Sequence, residues 1–270
     1  MSKAKPPNRY KQIIAHIFEA HHKEGSTSFD FERAEFDSAA VALGIDRVDN
    51  LGDLIYNFRY RSDLPEEITK TAPEGTEWII RLAGKGKYRF ALSKINRILP
   101  SRNHFQTKIF DATPQIVVKY ALEDEQALLA QVRYNKLIDI FLRVTAYHLQ
   151  SHLRTTVPGM GQIETDDVYV AVRNTGQQFV IPVQGKGGSD QIGVVQVEQD
   201  LALCKHAFPD LTARPVAVQF ENDEKGPVIV MFELVLVGDE VKVVDEKHYR
   251  LVAASDITKD DLDRMASLSN

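Results

Sequence analysis

The chain has one cysteine in 270 residues, Cys204. A single thiol excludes an intrachain disulfide and any zinc site built from several cysteines, and it suits the reducing cytoplasm in which this chain is expected. Long apolar runs are also missing. No stretch approaches the roughly 20 residues that a membrane-spanning helix requires, so no membrane partner is expected. The Ser/Lys/Pro-rich start lacks the apolar core of a signal peptide. Positive charge is in deficit as well, with 33 Lys and Arg against 38 Asp and Glu, a net charge of -5. By itself that total argues against nucleic acid as a partner. Its distribution changes the reading: residues 1–157 carry 23 basic against 19 acidic side chains, and residues 158–270 carry 10 against 19. A mildly basic front can meet phosphate while an acidic rear collects carboxylates. What is abundant is ordinary. Hydrophobic residues at 43% and charged residues at 26% exclude global disorder, and the length suits two domains.

In the front half, Tyr10, Ile13, Ile14, Ile17 and Phe18 recur at helical spacing, as do Phe36, Ala39, Ala40 and Leu43 before a stop at Gly44. A third helix begins at Asn50, a good N-cap, with Leu51, Leu54, Ile55 and Phe58 on one face. After Pro65, residues 78–83 and 88–92 alternate like strands about the tip Gly84-Lys85-Gly86-Lys87. Three helices and a hairpin predict a winged helix over residues 1–95. In such a module the third helix enters the major groove and the hairpin tip reaches phosphate. Asn57 and Arg59 are then the candidate base readers, with Arg61, Lys85 and Lys87 on the DNA backbone.

Residues 96–115, with Pro100 and Pro114, read as a linker to a second domain at 116–270. From about 123 to 153 there is neither proline nor glycine, and Leu137, Ile138, Phe141, Val144, Thr145 and His148 supply a core-facing stripe, so a long helix is expected. Strands follow at about 166–173 and 179–184, a helix at 190–206, a strand at 215–220 and a hairpin of 228–237 with 241–252. This order predicts an α/β (α+β) layer, a mixed sheet flanked by helices.

The chemistry concentrates between Gln162 and Gln199. Acids open one strand (Gln162-Ile-Glu-Thr-Asp-Asp-Val-Tyr-Val) and a lysine closes the next (Phe179-Val-Ile-Pro-Val-Gln-Gly-Lys186). Cutting a phosphodiester needs hard oxygen ligands for a divalent cation that can activate water beside the phosphate, and this pattern offers them. Pro182 interrupts the second strand and predicts an edge or a bulge.

These residues resemble the PD-(D/E)xK nuclease superfamily, and more closely a type II restriction endonuclease-like group with an amino-terminal winged helix. The resemblance rests on Asn50-Leu-Gly-Asp-Leu-Ile-Tyr-Asn-Phe-Arg-Tyr-Arg61 in front and on the stretch from Leu149-Gln-Ser-His-Leu-Arg-Thr-Thr-Val157 to Asp200 behind. It implies that the first acid falls among Glu164, Asp166 and Asp167 and that the acid-x-lysine step falls on Gln184-Gly185-Lys186. Asp167 is favoured as the main metal ligand because an apolar strand follows it directly, and Glu164 is a second ligand, direct or through water. Gln184 departs from the usual acid, and its neutral oxygen binds a hard cation less strongly. Glu198 on the following helix is the candidate replacement, or else a surface acid, and the Gly185 carbonyl a backbone ligand. Lys186 would orient water or stabilise charge on the phosphate. Gln196 or Gln199 could support the site or touch DNA; His152 and Arg154 could meet phosphate or cap structure.

The expected activity is Mg2+-dependent hydrolysis of double-stranded DNA, with Mn2+ able to substitute. A homodimer is expected, since one site cuts one strand. A restriction role would bring a cognate DNA methyltransferase as companion. The rival readings are a repair or modification-dependent nuclease and a catalytically inactive DNA-binding regulator. Gly185-Lys186-Gly187-Gly188 is not a Walker A loop, because Ser or Thr does not follow the lysine. Cys204 reads as a buried structural thiol.

Overall fold

A computed structural model describes residues 8–94, 97–102, 104–120, 125–188, 190–238 and 240–267, the Arg61 side chain excepted. The chain divides into two compact units, one built mainly from residues up to Ile98 and one mainly from Leu99 onward. The fold is mixed α+β.

The first unit runs α1 (Arg9–His21), β1 (Ser28–Glu32), α2 (Ala34–Ala42) and α3 (Leu51–Tyr56), which continues as a π-helical turn over Asn57–Arg61. Then come α4 (Glu66–Thr69), β2 (Glu77–Gly84), β3 (Lys87–Ser93) and the two-residue β4 (Arg97–Ile98). Local chemistry explains the helix ends. The Asn50 side chain accepts the Asp53 N–H at 3.1 Å to cap α3, and after α2 the chain turns left-handed at Gly44 (φ 64°) while Ile45 N–H bonds the Ala40 carbonyl. β1, β3 and β2 form an antiparallel sheet in that order, which with the helices gives the winged-helix topology. β1 was not expected. Its signal is the alternation Phe29-Asp30-Phe31-Glu32, in which Phe31 is buried and Asp30 pairs with Arg89. The rings of Phe18, Phe29, Phe31, Trp78 and Phe90 interlock around that sheet, with Phe90 5.1 Å from Phe18 and 5.0 Å from Phe31 between centroids.

The second unit begins with β5 (Gln106–Phe110), α5 (Gln115–Tyr120), α6 (Glu125–Tyr134) and α7 (Leu137–Leu142). It continues through β6 (Thr145–Val157), β7 (Gly161–Val172), β8 (Gln178–Gly187), β9 (Ile192–Gly193) and α8 (Val194–Ala207). It ends with β10 (Thr212–Ala213), β11 (Val216–Asp223), β12 (Gly226–Val237), β13 (Glu240–Val252) and α9 (Lys259–Ser267). The main sheet has the order β5-β13-β12-β11-β8-β7-β6, with β10 also on β8. It is mixed: β11 and β5 run parallel to their neighbours β8 and β13, while β7–β8, β11–β12 and β12–β13 are antiparallel. Leu129 and Val132 of α6 and Leu137, Ile138 and Phe141 of α7 bury one face of it with Val183, Val218 and Met231.

Three expectations are corrected here. The long helix over 123–153 is two short helices and a strand, because Lys136 and Arg143 take left-handed backbone conformations (φ 53° and 54°) that end each helix without glycine or proline. The linker over 96–115 contains β5, an edge strand parallel to β13. Pro182 lies not on an edge but in the central β8, where the parallel ladder is interrupted between the Val180–Ala213 and Val183–Val216 pairs, so its missing N–H falls opposite a gap.

Phe90→Ala should cost about 3–5 kcal/mol in the first unit by opening a cavity at a fully buried ring. Trp78, the chain's only tryptophan, lies in the same cluster, so its fluorescence during denaturant unfolding reports that unit and checks the loss.

Candidate functional site

The acids and the lysine lie at one end of the β7–β8 hairpin, where regular antiparallel pairing begins at Asp167 opposite Val183. Successive side chains on a strand leave opposite faces, so Asp166 and Asp167 cannot share a site. Asp167 is fully buried on the α6 side, and its carboxylate accepts bonds from Arg133 Nη2 (2.8 and 3.1 Å) and Ser151 Oγ (2.6 Å) and lies 3.1 Å from His148 Nε2. Every partner is a side chain of α6 or β6. Asp167, favoured from sequence as the metal ligand, is therefore a structural anchor; the reason is strand alternation.

Asp166 takes the other direction. Its Oδ2 accepts the Gly185 N–H at 2.9 Å, and it feels the charges of Lys186, Glu125 and His152. Burial raises its pKa, and the nearby Glu125 charge adds to the rise, against the Gly185 N–H and the Lys186 ammonium. Lys186 is nearly buried, and its Nζ lies 3.1 and 3.2 Å from the two Glu125 carboxylate oxygens at the start of α6. Gly185 contributes its N–H here. A Cβ at this position would sit 3.1 Å from the Leu129 side chain, which would have to shift to admit it.

Gln184 is buried and its amide donates to Asp200 Oδ1 at 3.1 Å, while Thr165 Oγ1 donates to the same oxygen at 2.5 Å. Asp200, on α8, is buried, and that burial pushes its pKa up to about 7; the charge of Asp166 adds to the rise and the bonds from Thr165 and Gln184 oppose it. The α8 acid that reaches Gln184 is thus Asp200, not Glu198. Two residues along a helix are about 200° apart, which turns Glu198 away. Gln196 and Gln199 share the buried side of α8 with Asp200. Glu164 sits nearer the surface, where burial raises its pKa but Arg154 (2.7 Å) and His152 (3.0 Å) hold it below the usual carboxylate range. His152 and Arg154, expected on phosphate, are engaged with that acid, and Glu164 is engaged with them.

In the first unit, Arg59 is buried, its Nε donating to the Ile80 carbonyl at 3.2 Å and its guanidinium lying over the Tyr60 ring. That geometry removes it as a base reader. The half-buried Asn57 side chain accepts the Ser62 hydroxyl at 3.0 Å and fastens the π-helical turn. The Arg61 side chain lies outside the described residues. Lys85 and Lys87 remain exposed on the hairpin tip, Lys87 3.5 Å from Glu32.

Glu125, Thr165 and Asp200 escaped the sequence reading. Gln196, Gln199 and Asp200 recur at helical spacing among the apolar Val194, Val195, Val197, Leu201 and Leu203, a pattern that could have revealed Asp200. Glu125 carries no local signal. Cys204 is buried, and its thiol is pushed up to about 12 by that burial and by Asp200, which leaves it unreactive. Among the described residues no helix is long and apolar enough to cross a membrane. No family model, curated protein or solved structure matches the chain.

Two predictions separate these acids. Asp167→Ala should destabilise the protein by about 3 kcal/mol, because Arg133 and Ser151 lose a buried partner, whereas Asp166→Asn should not; thermal unfolding of both variants checks the contrast. Asp200 has a folded pKa of about 7 against an ordinary 3.8, so the unfolded chain releases this proton first as pH rises. Its contribution therefore lowers stability between those two values and is level above them. Asp200→Asn should flatten that fall and stabilise the protein at alkaline pH by on the order of 4 kcal/mol. Denaturant unfolding across the pH series would show an unchanged slope if the acid were not buried as described.

Proposed function

We propose that the chain is a divalent-metal-dependent deoxyribonuclease of PD-(D/E)xK type, with the end of the β7–β8 hairpin as its hydrolytic site. One observation carries this reading: a nearly buried lysine ammonium paired with the Glu125 carboxylate and close enough to Asp166 for the two charges to act on each other. The residues fit a hard cation. Glu125 and Asp166 offer oxygen donors close enough to oppose each other's charge, and Lys186 and His152 partly offset that of Asp166. Mg2+, or Mn2+ in its place, would be held by Asp166 and Glu125. When bound it would polarise a phosphoryl oxygen and lower the pKa of a water molecule.

The chain's own groups do the rest. Lys186 positions the attacking water or meets charge growing on the phosphate, and its long stem lets the ammonium exchange Glu125 for substrate. Gln184, fixed by Asp200, holds the strand end in place instead of ligating. Lys85 and Lys87 on the wing contact DNA backbone, a contribution that positions the duplex without reading sequence. Cutting both strands asks for two copies of the site, hence a homodimer on a twofold target. A restriction role with a cognate methyltransferase is the cellular setting that this activity fits.

Lys186→Ala, Asp166→Asn and Glu125→Gln should each slow cleavage of plasmid DNA in Mg2+ by about 100-fold or more, with DNA binding retained. Undiminished cutting by the Lys186 and Asp166 variants would refute the assignment. DNA binding by the unaltered chain without any metal-dependent cutting would identify a regulator, and cutting confined to modified DNA a modification-dependent enzyme.

A further inference from the structure

The geometry points to a transition-metal site in the second unit, built by His104, Glu246 and His248 and separate from the acid–lysine end of the hairpin. The ligating atoms of these three side chains all lie within 4.8 Å of one another. Glu246 and His248 are two apart on β13 and so share one face of the strand. His104 comes from the segment leading into β5, and its ring lies against that of His248 with centroids 5.1 Å apart.

The carboxylate is already oriented for the task. Ser101 donates to it twice, from its N–H to Oε1 and from its hydroxyl to Oε2, both at 2.8 Å. Hydrogen-bonded support of this kind is what fixes a ligating carboxylate in metal sites. His248 is buried while His104 is exposed, which leaves one open side for entry of an ion and for a water as fourth ligand.

Ligand type selects the metal. Two imidazoles and one carboxylate suit Zn2+, with Co2+ or Ni2+ as substitutes, and disfavour Mg2+ and Ca2+, which require shells of oxygen. Tetrahedral bonds of about 2.1 Å put ligand atoms about 3.4 Å apart. The present contact of 2.7 Å between His248 Nε2 and Glu246 Oε1 would therefore open slightly as His104 closes, a change within the reach of side-chain rotation. Metal binding would tie His104 to β13, clamping the entry to the edge strand β5.

The competing account is a metal-free hydrogen-bonded cluster, and titration of the full-length chain after dialysis against chelator separates the two. To silence the acid–lysine end, the host is the Asp166→Asn chain. Zn2+ should bind at one ion per chain by calorimetry, and Co2+ should give the visible absorption of a tetrahedral site. His104→Ala removes an exposed ring on which little folding can depend, and it should weaken Zn2+ binding at least tenfold and abolish the rise in melting temperature that Zn2+ confers. Glu246→Gln should weaken binding likewise. The proposal is overturned if the host chain takes up no Zn2+, or if the His104→Ala chain binds it with unchanged affinity.

Discussion

Adjacent side chains on a β-strand leave opposite faces, and this constraint falls in the second unit on two neighbouring aspartates. Asp167 goes under α6, where Arg133, Ser151 and His148 absorb its charge. Asp166 goes the other way and meets a peptide N–H at Gly185 and the field of Lys186. One acid is spent on holding α6 and β6 to β7; the other keeps its charge under-compensated. A one-residue slip in the register of β7 would exchange these positions, so the hairpin register fixes which acid meets Arg133 and which meets the field of Lys186. Gly185 lets the Leu129 side chain pack closely at that point, where a Cβ would sit 3.1 Å from it.

Behind this arrangement stands the polar side of α8. Asp200 receives both Thr165 of β7 and Gln184 of β8, so a single buried carboxyl group spans the two strands next to the hairpin's end. A neutral glutamine at position 184 looks from the sequence like a weakened metal ligand. In the fold it is a donor to a buried acid. Such a group is costly when left without partners, and here it has two, which makes the cluster specific as well as demanding.

The first unit was legible because its elements carry their own punctuation. Asn50 caps, Gly44 stops, and apolar residues keep a helical period, so local preference and tertiary fold agree. The segment from Leu137 to Arg154 was not legible for the opposite reason. Lys136, Arg143 and His152 adopt positive φ without being glycine, so the sequence shows no break where the chain turns. The stripe Leu137, Ile138, Phe141 is real helix, but Thr145 and His148 belong to a strand whose partial burial mimics the continuation. β5 was hidden by its polarity, since an edge strand of Gln106, Thr107 and Lys108 need not look apolar. At the site, the hairpin and its lysine could be read, as could the set of acids. The choice between Asp166 and Asp167 could not, because it turns on register, and Glu125 could not, because its meeting with Lys186 spans 61 positions in the chain. The burial of Arg59 was not legible either, because the π-helical turn rotates side chains away from the positions that an uninterrupted α-helix would give them.

The electrostatics of the hairpin's end explain why a cation belongs in the proposed function. Two acids, Asp166 and Glu125, stand near one ammonium, and Asp166 raises the pKa of Asp200 as Glu125 raises that of Asp166. At an effective dielectric of about 20, like charges 4 Å apart oppose each other by about 4 kcal/mol, comparable with the whole margin by which a domain is stable. The cluster has two ways to relieve that repulsion. Asp200 can keep a proton, which its raised pKa describes, or a divalent cation can enter and neutralise two acids at once. Protons grow scarce above neutral pH while a metal does not, so under the proposed function the second route would prevail where a water molecule is most easily deprotonated. The buried acids that strain the fold are in this way the same groups that would give it a use for magnesium.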